Sequence, residues 1–215
     1  MDEIVLMSDP EVTSIPVHES GETLRDLRAS PVLRLDRRLA DAAGAYAQLR
    51  VGVADRLLAA QDLLPRGLQL LIIEGYRPLA LQTAYFQRYS DELRQAHPEW
   101  SEDVVRREAS RSLSPPEIGP HVAGAAVDLT LCTASGRELP MGGEVNADPE
   151  DDNGSCYTAA PGLPAETADN RRLLFDTLTA VGLVNYPTEW WHWSYGDRYW
   201  ALATGAPAAH YGPVN

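Results

Sequence analysis

Two of the five histidines in this chain stand where residue type and spacing can do chemistry. His121 follows Gly119-Pro120 and is succeeded by Gly124 and Asp128, and His192 closes the run Glu189-Trp190-Trp191-His192. Neutral imidazole and carboxylate are the ligand types of a catalytic zinc, which takes three protein groups and keeps a fourth position for water. Arg77, between Tyr76 and Pro78, offers five donors in a rigid fork that suits a carboxylate or a developing oxyanion. Each residue alone has an ordinary alternative: a hydrogen-bonded histidine, a turn aspartate, packed tryptophans, a salt-bridged arginine. It is the combination that points to a site. The two cysteines, Cys132 and Cys156, form no Cys-x-x-Cys pair, so they read as thiols and a thiolate zinc site is not expected.

The spacing constrains how these groups can meet. His121 and Asp128 are seven residues apart, and an odd separation on a regular strand puts two side chains on opposite faces. They can share a metal only if a bulge or turn intervenes, and Gly124 is the natural place for it.

The elements that must position these groups read as follows. Residues 1–35 form an irregular arm with one or two short strands. Residues 36–64 carry apolar positions at helical spacing and are expected to form a long helix through Gly44 and Gly52, stopped by Pro65 and Gly67. Residues 68–74 read as a buried strand bounded by Gly67 and Gly75. Helices follow over 79–96, with Pro78 at the first turn, and over about 101–111. The end of 117–131 is strand-like, and Ser135-Gly136 suits a hairpin turn. Residues 140–165, rich in Gly, Pro, Asp and Asn, are expected to be a long loop near the site. A helix over 164–181 stops at Gly182. Residues 183–195 and 198–204 are aromatic-rich and read as two closing strands turning at Gly196-Asp197. This order predicts an α+β fold in a single domain over 1–215: a small, mostly antiparallel sheet flanked by helices.

Composition excludes several classes of function. With 18 basic and 31 acidic residues, the formal charge is −13. So acidic a surface repels phosphate backbones and anionic lipid, so neither nucleic acid nor membrane is the expected partner. No apolar run approaches the ~18 residues of a membrane span. The acidic N-terminus, Met-Asp-Glu, is unlike a secretory signal, and a cytoplasmic location is expected.

Three segments together resemble the zinc D-alanyl-D-alanine dipeptidase family, which includes the vancomycin-resistance dipeptidase. They are Glu74-Gly75-Tyr76-Arg77-Pro78, His121-x-x-Gly124-x-Ala126-x-Asp128, and Glu189-Trp190-Trp191-His192, in the family's order and approximate separations. The resemblance implies one zinc held by His121, Asp128 and His192. It also implies Glu189 as general base and acid, and Arg77 as the group that stabilises the tetrahedral intermediate. Arg77, Asn146 and Trp191 are the expected substrate contacts. The implied activity is hydrolysis of a short D-amino-acid-containing dipeptide such as D-alanyl-D-alanine. The implied fold is the α+β one shared with D,D-carboxypeptidases and the hedgehog signalling domain. The chain departs from the family pattern at Gly119, where members often have Ser. It departs again in Met141-Gly142-Gly143-Glu144-Val145-Asn146, where Asn146 stands nearest an Asp that meets the substrate ammonium. Two alternatives follow: a D,D- or L,D-carboxypeptidase acting on peptidoglycan stem peptides, and a zinc-binding module without catalysis. Such a module would lack Glu189 or Arg77, and both are present.

Overall fold

The computed structural model describes residues 4–147 and 154–214. Its centre is a five-stranded sheet of β2 (Arg34–Leu35), β4 (Leu68–Glu74), β5 (Ala126–Thr133), β7 (His192–Ser194) and β6 (Val184–Asn185), in that spatial order. Among the described residues of this sheet, only the β2–β4 pairing is parallel. A two-stranded antiparallel sheet pairs β1 (Leu24–Asp26) with β3 (Gln48–Arg50). The helices are α1 (Pro10–Thr13), α2 (Val51–Leu63), α3 (Leu79–Ala96), α4 (Glu102–Ala109), α5 (Ala165–Ala180) and α6 (Arg198–Thr204). The architecture is α+β, as the order of elements predicts.

Alternation along the central strands separates a dry face from a chemical one. Leu70 and Ile72 of β4, Val127, Leu129 and Leu131 of β5, and Trp193 of β7 are buried in one apolar cluster with Leu57 of α2 and Leu178 of α5. Asp128 and His192 alternate with these residues and point to the opposite face. A second cluster, Leu6, Met7, Val12, Ile118, Tyr186 and Tyr199, anchors the N-terminal arm.

Three expectations are corrected. Residues 183–195 are not one strand but a hairpin of β6 against β7, joined by the turn at 186–191. Residues 36–64 are not one helix: Gly44 adopts φ 75°, a single 3₁₀ turn covers Ala45–Ala47, β3 follows, and the helix spans only Val51–Leu63. A left-handed residue cannot continue a right-handed helix, and the pairing of β3 with β1 outweighs the apolar spacing. Residues 198–204 form α6 rather than a strand. Asp197 caps it, accepting from the backbone N–H groups of Tyr199 and Trp200, so the cap overrides the aromatic β-propensity. Ser101 caps α4 in the same way through Val104 N–H. Pro78 sits at the N-cap of α3, one residue earlier than expected.

Candidate metal centre and active site

Three neighbouring strands bring the site together. Asp128 on β5 stands opposite Glu74 on β4 and opposite His192 on β7, so the three side chains form one cross-strand row. The β4–β5 register shifts between Ile72 and Glu74, and this extra residue brings Glu74 rather than Ile73 opposite Asp128. His121 arrives from a turn just before β5. Ala125 N–H donates to the Pro120 carbonyl at 3.0 Å and Gly124 N–H to the His121 carbonyl at 3.0 Å, with Gly124 at φ 63°. This turn answers the odd seven-residue separation: it reverses His121 onto the face that Asp128 occupies.

The donor atoms of the three residues form a nearly equilateral triangle. His121 Nε2 lies 3.2 Å from His192 Nδ1 and 3.3 Å from Asp128 Oδ1, and His192 Nδ1 lies 3.1 Å from Asp128 Oδ1. Ligands of a tetrahedral zinc at ~2.0–2.1 Å stand about 3.3 Å apart, so the spacing fits. The chemistry of the donors fits as well. His121 Nδ1 lies 2.6 Å from the Gly75 carbonyl and donates to it, which leaves the Nε2 lone pair facing the centre. His192 Nε2 is buried without a partner among the described residues, so its working nitrogen is Nδ1. All three residues are at most 5% exposed.

Electrostatics set the remaining groups. Burial works to raise Asp128, but His121 and His192 hold its carboxyl well below the usual range. Burial lowers the His192 imidazole, whereas in His121 burial is outweighed by the neighbouring Asp128, which raises it. Glu189 Oε2 stands 3.7 Å from His192 Nδ1. Burial pushes the Glu189 carboxyl well above its ordinary value, the charge of Asp128 adds to this, and Arg77 opposes it. The turn that carries Glu189 is pinned by Asn185, whose side-chain amide donates to the carbonyls of Glu189 at 2.9 Å and His192 at 3.0 Å.

Arg77 emerges just past β4 and is only 7% exposed. Its Nε and Nη2 donate to the two carboxylate oxygens of Glu74 at 2.7 and 2.5 Å, and Nη1 donates to Gln82 Oε1 at 2.7 Å. Gln82 in turn donates to the Ser114 carbonyl at 2.6 Å. Three of the five guanidinium hydrogens are thus committed, and one on each Nη remains for a substrate. Burial disfavours the charge, but Glu74 more than restores it and keeps Arg77 protonated.

These groups open into a cavity of about 600 Å³ whose lining includes Glu74, Arg77, His121, Asp128, Glu189 and His192. Asn146, at φ 66°, and Ala147 form part of its wall. The expectation for Trp191 is corrected: its side chain is 0% exposed and lies in the apolar cluster with Trp190 and Trp193, from the turn just ahead of β7, and Trp191 is absent from the cavity lining. Residues 154–163 carry neither helix nor strand, and Arg171 pins this stretch by donating to the carbonyls of Met141, Ser155 and Tyr157. Glu74, Gln82 and Asn185 have no assigned role in the sequence reading. Gln82 had a signal, since it falls five residues after Arg77 in the first turns of a helix that begins beside it.

Comparison with known proteins places this geometry in context. A profile of the family described as D-Ala-D-Ala dipeptidase matches residues 44–206. A D-alanyl-D-alanine dipeptidase of Synechocystis sp. is 28% identical over 220 residues, covering 87% of this chain and 87% of that protein. One of Enterococcus faecium is 30% identical over 149 residues, covering 68% of this chain and 72% of that protein. One of Escherichia coli is 32% identical over 127 residues, covering 59% of this chain and 54% of that protein.

Proposed function

The chain belongs to the D-Ala-D-Ala dipeptidase family of metallopeptidases, and on that premise we propose that it hydrolyses short D-amino-acid-containing dipeptides with one zinc held by His121, Asp128 and His192. The observation that carries this reading is the triangle of three buried donor atoms 3.1–3.3 Å apart, with a Glu189 carboxylate oxygen 3.7 Å from one corner. When bound, zinc would supply a Lewis acid that acidifies water toward pKa ~7 and polarises a carbonyl. Glu189 Oε2 takes the proton of the attacking water and returns it to the leaving amine. Burial raises its proton affinity, which suits a group that must take up a proton and release it again. The two uncommitted N–H groups of Arg77 meet the oxygen on which negative charge develops. Glu74 and Gln82 hold that fork in place beforehand, so little reorganisation remains during reaction. Asn146, in the cavity wall, meets the amino end of the substrate.

The size of the cavity favours a second reading. A volume of about 600 Å³ falls in the ~300–1,000 Å³ range that takes drug-sized ligands, and dialanine is much smaller. Carboxypeptidase action on a longer stem peptide would use the same residues. The deciding experiment incubates zinc-loaded protein with D,D-, L,D- and L,L-dipeptides and with stem peptides, following amine release. Release from free D-Ala-D-Ala upholds the dipeptidase reading; release only from longer peptides replaces it with the carboxypeptidase, and release from none overturns both.

A further inference from the structure

One wall of the cavity is a single stripe of α3. Leu81, Gln82, Tyr85, Arg88 and Tyr89 all line it, at positions that recur on one face of a helix. The stripe starts beside Arg77, whose Nη1 donates to Gln82, and from Leu81 to Arg88 it advances about 10 Å. The Tyr85 ring spans the interval: Arg77 Cζ lies 5.5 Å and Arg88 Cζ 5.4 Å from its centroid.

The three guanidinium groups that face this cavity are engaged to different degrees. Arg77 is committed to Glu74 and Gln82. Arg38 is committed to Asp36 and Glu138. Among the described residues Arg88 has only a 3.8 Å approach to Glu92 and its contact with Tyr85, with its side chain 69% exposed. It is therefore the arginine of the cavity best able to accept a new anionic partner. On a protein of charge −13, an anionic ligand is repelled at long range, so a local cation decides whether it is accepted.

Resting on the peptidase reading above, we propose that Arg88 is a specificity-determining residue that receives a carboxylate of an acidic peptide, one residue beyond the dipeptide unit at the metal centre. An extended chain covers ~3.3–3.6 Å per residue. With both Cζ atoms within 5.5 Å of the Tyr85 centroid, the two guanidinium groups are at most about 11 Å apart, a span that three extended residues cover in full.

The test uses two matched pairs: D-Glu-D-Ala-D-Ala against D-Gln-D-Ala-D-Ala, and D-Ala-D-Ala-D-Glu against D-Ala-D-Ala-D-Gln. Calorimetry measures their affinity for zinc-loaded protein carrying Glu189→Gln, so that the peptides survive, with and without Arg88→Gln and Arg88→Lys. At one of the two ends the Glu peptide should bind about three- to fivefold more tightly than its Gln partner, the range of an exposed ion pair. Arg88→Gln should remove that preference, and Arg88→Lys should retain part of it. Absence of a preference at both ends, or a preference that survives Arg88→Gln, overturns the proposal. Hydrolysis of D-Ala-D-Ala by the unsubstituted protein is scored separately, so failure of the peptidase reading is distinguishable from failure of the Arg88 assignment.

Discussion

At the scale of single residues, Glu189 and the metal ligands have separable roles. Glu189 stands 3.7 Å from His192 but outside the triangle of donor atoms, so Glu189→Gln should retain zinc by elemental analysis while kcat falls by about 10²–10⁴. Loss of zinc in that variant would make Glu189 a ligand. Arg77 has its own signature. Lys keeps the charge but cannot bond Glu74 and Gln82 while presenting two further donors, so Arg77→Lys should cost about 10²–10³ in kcat with a smaller change in KM. A change confined to KM would make Arg77 a substrate anchor instead. Asn146 addresses the amino end. Asp tolerates a positive φ as Asn does, so Asn146→Asp should fold normally and raise kcat/KM for D-Ala-D-Ala through a charge-assisted bond to the ammonium. Unchanged or lower activity would favour the carboxypeptidase, whose substrate has no free amine there. Glu144 is exposed and outside the cavity lining, and Asp148, another acid near this loop, lies outside the described residues.

At the scale of elements, the site depends on backbone that approaches backbone closely. Gly75 follows β4, and its carbonyl receives His121 Nδ1–H. A Cβ at Gly75 would stand 2.5 Å from the Gln48 carbonyl oxygen and 3.1 Å from that of Tyr46, both backbone atoms. Gly75→Ala must therefore shift the strand end and with it the partner of His121, and loss of such a partner typically weakens metal binding 10–100-fold. Competition with a chelator measures this, and unchanged zinc affinity would show that His121 is oriented by its turn alone. The same elements show what can be read in advance. The strand 68–74 and the helices 79–96 and 164–181 were legible because each is one periodic run between clear stops. The sheet order was not, because opposition of Glu74, Asp128 and His192 joins residues up to 118 positions apart and depends on a one-residue bulge. The segment 36–50 misled because its apolar spacing suits a helix while Gly44 and the β1–β3 pairing are non-local facts about where the chain must go. Trp191 misled for a simpler reason: it ends the turn ahead of β7 and packs into the apolar cluster beside Trp190, so adjacency to His192 in sequence does not place it at the site.

At the scale of the whole molecule, a metal at this centre would tie together β5, β7 and the turn at 119–124, segments that the unfolded chain holds far apart. The three donors then converge only in the native state, and binding to that state stabilises it by mass action. Free zinc at 100 times its dissociation constant should add about 2.7 kcal/mol, seen as a rise of several degrees in Tm. A chelator should reverse the rise. His192→Ala should abolish it, because two remaining ligands rarely hold a catalytic zinc. Glu189→Gln should preserve it, which separates the ligand set from the base by stability alone, without any assay of turnover. The formal charge of −13 adds a further condition. Acidic surface attracts any divalent cation weakly, and that attraction fades as the Debye length shrinks from ~10 Å at 0.1 M salt to ~3 Å at 1 M. A buried triangle of donors is screened far less. The zinc-dependent rise in Tm should therefore persist at 1 M salt, whereas magnesium, which demands octahedral oxygen ligands, should give at most a small rise at low salt and none at 1 M. An equal rise with magnesium, or a zinc-dependent rise that vanishes at high salt, would mean that the surface and not His121, Asp128 and His192 takes up the metal.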